Sequence, residues 1–66
     1  MSSPGARLRQ SRIAAGYKTA TEAAAALGMS RDTYLQHENG QRDYDDAKAT
    51  AYAKAFAVTP QFLRFA

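Results

Sequence analysis

The sequence predicts an all-α fold, a compact domain of five short helices. Three observations carry this expectation. Capping and stop residues recur in helical order along the chain, apolar residues between them fall at three- and four-residue spacing, and no segment alternates in the way a strand requires.

The first helix opens at Ser3-Pro4, since serine accepts free backbone N–H groups at an N-cap and proline in the first turn wastes no donor; Gly16 closes it. Leu8 and Ile13, with Ala6 and Ala15, are its expected apolar anchors. The second helix starts at Thr19, which forms a T-x-x-E capping box with Glu22, and runs through the alanine block to Leu27, where Gly28 takes the left-handed turn. Ser30 caps the third helix, with Met29 before it as a staple against Tyr34, and Gly40 ends it. After the polar stretch Gln41-Arg42-Asp43-Tyr44, the fourth helix begins at Asp45 or Tyr44 and reaches about Phe56, with Ala49, Tyr52, Ala53 and Phe56 on one face. Thr59-Pro60 repeats the cap-then-proline signal, so Gln61 to Phe65 form a last turn or two.

Size and composition narrow the classes of function. A chain of 66 residues, read as one domain over residues 1–66, builds a core worth only about 3–5 kcal/mol of net stability, and no cysteine is present to supplement it with a disulfide or thiolate metal site. The longest apolar run, Ala23 to Leu27, is far short of the roughly 18 residues of a membrane span, and no signal-peptide pattern follows Met1, so the expected location is the cytoplasm. The net charge of +3 suits a polyanionic partner; Arg7, Arg9, Arg12 and Lys18 precede the first acid, and Asp43, Asp45 and Asp46 cluster late. His37 is the only histidine, without a triad or further zinc ligands around it, and every glycine is read as a helix end. Neither an enzyme, a cofactor nor a small-molecule substrate is expected.

The spacing within Thr19 to Gly40 is that of a helix-turn-helix. A small residue where two helices touch (Ala24), a glycine turn (Gly28) and an apolar anchor (Tyr34) follow in order. A generic two-helix hairpin satisfies part of the same pattern.

Leu8-Arg9, Arg12, Gly16, the Thr19/Glu22 start, Leu27-Gly28-Met29-Ser30-Arg31 and Glu38-Asn39-Gly40-Gln41-Arg42 together resemble the phage repressor and Cro-type (XRE) family of helix-turn-helix domains, and the resemblance extends through Ala53–Pro60 and Phe62-Leu63. It implies a lambda repressor-like five-helix fold in a bacterial or phage-infected cell. Its partner is double-stranded DNA at the nucleoid, and its role transcriptional regulation as a repressor. In that family the third helix reads base edges while flanking helix ends hold phosphates. Carried onto this chain, the base-reading residues are Ser30, Arg31, Asp32, Thr33 and Gln36. Arg31 suits guanine O6 and N7, Gln36 suits adenine N6 and N7, and Asp32 either accepts from cytosine N4 or stabilises the first helical turn. Leu35 on that face either meets a thymine methyl or covers its neighbours. The phosphate-binding residues are Lys18, Thr19, Asn39, Gln41 and Arg42, and Arg12 and Glu38 match positions that form a structural ion pair.

The chain departs from the family at Ala20, where a phosphate-contacting glutamine is common, and in the longer turn containing Tyr17-Lys18. The acidic group Asp43, Asp45 and Asp46 is assigned to the start of the fourth helix. The final helix is where the family builds a homodimer, which points to Phe65. The competing expectation is a protein-interaction module, an antitoxin or regulatory adaptor, using Phe62, Phe65 and Tyr44; Phe62 and Leu63 are more expected than Phe65 to close the core instead.

Overall fold

Five capping signals in the sequence become five helices in a computed structural model, which describes residues 3–65 apart from the side chain of Phe65. They are α1 (Pro4–Ala14), α2 (Ala20–Leu27), α3 (Arg31–Glu38), α4 (Asp46–Phe56) and α5 (Pro60–Phe65), and no strand occurs among the described residues. Each N-cap side chain accepts a backbone N–H three residues on: Ser3 from Ala6, Thr19 from Glu22, Ser30 from Thr33, Asp45 from Lys48 and Thr59 from Phe62, at 2.9–3.2 Å. These bonds satisfy donors that a helix start otherwise leaves to solvent.

The stops differ in kind. At the α2 end Gly28 adopts φ 70°, and its N–H and that of Met29 bond back to Ala25 and Ala24 carbonyls. Helix α4 ends without glycine: Ala57 takes the same left-handed region at φ 59°, a position the sequence does not advertise because alanine is otherwise a helix former.

The core is drawn from every helix. Leu8 of α1, Ala23 and Ala24 of α2, Tyr34 of α3, Ala49, Tyr52, Ala53 and Phe56 of α4 and Leu63 of α5 are buried together with Tyr44 from the α3–α4 loop. Tyr52 is central. Its ring meets Tyr34 edge-on at 5.7 Å and Tyr44 at 5.3 Å, and stacks with Phe56 at 6.3 Å. The α4 face expected from the three- and four-residue spacing is thus the one that packs.

Four expectations need correction. Ile13 does not anchor α1 and is 52% exposed. It follows Leu8 by five positions, about 140° further round the helix, so the inward stripe passes instead through Gly5, Leu8, Ser11 and Arg12. Ala15, the other far anchor, is also exposed. Phe62 is 40% exposed because the short α5 buries one side only and Leu63 occupies it. Tyr44, which the competing interaction-module reading needs exposed, is buried, and its hydroxyl donates to Pro4 O at 2.9 Å. The dimer role expected of Phe65 falls on a side chain outside the described residues.

Candidate nucleic-acid interface

Helix α3 has two unlike faces. Tyr34 and His37 point inward and are buried, whereas Arg31 and Asp32 stand out from the opposite side, and Leu35 and Gln36 beside them are half-buried. At about 100° per residue, Asp32 and Gln36 share the outermost line of the helix, with Arg31 and Thr33 on its two margins. Arg31 lies 3.8 Å from Asp32, an exposed pair of little energetic weight that leaves both groups available to a partner. Ser30 and Thr33 are more committed: Ser30 Oγ accepts from Thr33 N and donates to Thr33 Oγ1 at 2.9 Å. Their hydroxyls therefore close the cap on each other.

The inner face of α3 is held by a clamp at its C-terminal end. Arg12 Nε donates to Glu38 Oε2 at 2.7 Å with both side chains nearly solvent-free, and Arg12 Nη1 donates to Tyr17 O at 3.0 Å. One guanidinium thus joins the end of α3 to the turn that leads into α2. The same arrangement places the Tyr34 hydroxyl beside the Glu38 carboxylate, short of good hydrogen-bond geometry; burial first, and then that negative neighbour, holds the Tyr34 pKa above the ordinary value.

Gly5 completes the clamp. A Cβ added there would collide with the carbonyl oxygen of Glu38 and meet that of His37 at 2.8 Å, so α1 crosses the end of α3 at a distance only glycine permits. Sequence reading treated this glycine as a helix end. A glycine in a first turn already opened by Ser3-Pro4 was the available signal, because capping gives it no task.

His37 is buried, with Nδ1 2.6 Å from Tyr52 Oη and its ring 5.7 Å from that of Tyr44. Desolvation, followed by the positive charges of Arg42 and Lys48, lowers its pKa, with Asp45 opposing. The loop after α3 crosses over this ring. Arg42 N–H bonds to Gln36 O at 3.2 Å, and Asn39, Gln41 and Arg42 are exposed. Lys18 and Thr19 are exposed before α2, the Thr19 hydroxyl being used as its cap. Two of the early basic residues are not free for a polyanion: Arg7 and Arg12 are buried, and Arg7 Nε donates to Leu63 O. Two of the three late acids behave as assigned, Asp45 capping α4 and Asp46 standing in its first turn, 3.6 Å from Arg64.

With an exposed helix face set on a glycine turn and a clamped inner face in place, comparison with protein families is decisive. A family model described as a helix-turn-helix domain matches residues 5–64. The chain belongs to the helix-turn-helix domain family. No match is found among curated proteins or solved structures. Helix-turn-helix membership makes this chain a DNA-binding regulator in general terms. No helix among the described residues is long and apolar enough to cross a membrane, and no cluster of three metal-ligating side chains occurs among them.

Proposed function

We propose that this protein is a sequence-specific, double-stranded-DNA-binding transcriptional regulator of the repressor type found in phages and prophages, with α3 in the major groove. The observation that carries the reading is the two-sidedness of α3, whose inner residues are locked into the core while Arg31, Asp32 and Gln36 remain available on the outer side. Arg31 takes guanine and Gln36 takes adenine by bidentate bonds; Asp32 either accepts from cytosine N4 or serves the first turn. Ser30 and Thr33 frame this reading edge through their cap. Arg42, Asn39 and Gln41 after α3, and Lys18 and Thr19 before α2, grip the backbone on either side. A two-fold homodimer through α5, supported by half-exposed Phe62, would place two half-sites roughly 34–36 Å apart.

Selection from a random duplex library at moderate salt tests the proposal. A recovered motif supports it and a palindromic one supports the dimer, while recovery of no motif favours the interaction module. Arg31→Ala is expected to cost about 1–3 kcal/mol of binding and to relax preference at one base pair, whereas Arg42→Ala weakens all sequences alike and reduces the salt slope by about one. Equal losses of Arg31→Ala on selected and random DNA would remove Arg31 from the readers.

A further inference from the structure

The buried imidazole of His37 has no part in base reading, yet it forms the floor of the loop that carries the phosphate grip. It lines a shallow cleft of about 310 Å³ together with Thr33, Arg42, Asp43, Tyr44, Asp45 and Lys48. Its ring orientation is fixed from below by a 2.6 Å hydrogen bond between Nδ1 and Tyr52 Oη. Nε2, the other ring nitrogen, makes no hydrogen bond among the described residues.

We propose that His37 is a positioning residue of the phosphate grip, and that a DNA backbone phosphate docking between Arg42 and Lys48 is accompanied by uptake of a proton by the His37 imidazole. This rests on the DNA-binding reading above and adds to it a proton as a linked ligand.

The electrostatic surroundings supply the coupling. From the α3–α4 loop the ring faces Arg42, Asp43 and Tyr44, from α4 it faces Asp45, Lys48 and Tyr52, and Arg64 of α5 borders the adjoining cleft on its other side. The part of α1 against it is Gly5, which carries no charge. In the free protein the Arg42 and Lys48 cations oppose a third positive charge, in the same direction as desolvation. A phosphate between them adds a negative charge to that of Asp45, so protonation becomes easier in the complex. By reciprocity, the same proton strengthens DNA binding. Affinity therefore rises as pH falls through the titration of the complex, by at most about tenfold per pH unit for one proton.

Because His37 is the only histidine in the chain, its imidazole resonances report the proton without any mutation. The test is an NMR titration of the unaltered protein, free and saturated with a short random-sequence DNA duplex at low salt. The expected result is a His37 midpoint higher in the complex by about one pH unit. A second titration, of the free Arg42→Ala/Lys48→Ala variant, whose substituted side chains are both exposed, is expected to show a midpoint raised above that of the free unaltered protein. Binding with an unmoved His37 midpoint, or a free variant midpoint that does not rise, overturns this inference and leaves the DNA reading standing. Failure of the duplex to bind at all removes both.

Discussion

The two ends of α3 are built on opposite principles. At its N-terminal end Ser30 caps the helix, and Arg31 and Asp32 project with no ties beyond an exposed 3.8 Å pair between themselves. At its C-terminal end Glu38 is tied to Arg12, the Glu38 and His37 carbonyls lie against Gly5, and His37 meets Tyr52. The contrast teaches where precision comes from in so small a protein. A reading edge must be free of internal partners in order to bond to a base, so its aim has to be set by contacts at the other end of the same rigid helix.

The contrast is broken most severely by Arg12→Ala. That substitution leaves Glu38 buried without its cation and is expected to lower stability by about 3–5 kcal/mol in urea unfolding, enough to leave a domain of this size largely unfolded. Gly5→Ala should follow, at about 1–3 kcal/mol, because α1 must withdraw from two backbone carbonyls that cannot move aside; an unchanged melting temperature would mean the crossing is looser than the structure shows. At the free end, Arg31→Ala should change stability by no more than about 0.5 kcal/mol while DNA binding falls, which separates reading from support in a single variant. The smallest expected effect is on pH dependence. The His37 pKa is lowered in the folded protein, so its contribution is complete above about pH 6.5 and is lost as pH falls from there toward the folded value. Unfolding midpoints should decline as pH falls below about 6.5, and His37→Phe should flatten that limb.

Much of the helix pattern was legible because each boundary depends on neighbours in sequence. A serine, threonine or aspartate three residues before the N–H it accepts needs no tertiary contact, and the caps at Ser3, Thr19, Ser30, Asp45 and Thr59 all rest on that local geometry. The turn at Gly28 and the packing face of α4 were readable for the same reason. Ile13 and Phe62 were misjudged because apolar character says that a residue prefers burial, while the direction of its helix face and the reach of the neighbouring helix decide whether burial is available.

The site divides along the same line. The proposed reading residues lie within the one short stretch Ser30 to Gln36, so their shared helix could be inferred from the chain alone. The clamp joins residues far apart in sequence: Arg12 and Glu38 are 26 positions apart, Gly5 meets the carbonyls of His37 and Glu38, and Tyr44 reaches 40 positions back to Pro4. The Arg12–Glu38 pairing was suggested by family resemblance, and the others had no sequence signal naming their partners. The sequence by itself determined the five helices, the glycine turn and the face of α3 that carries Arg31, Asp32 and Gln36, since caps and helical periodicity act over three or four residues. Only the tertiary structure decided which arginines are buried as struts, which glycine is a point of contact, and that His37 lies beneath Arg42 and Lys48. Those outcomes depend on how whole helices cross, and no local rule contains that geometry.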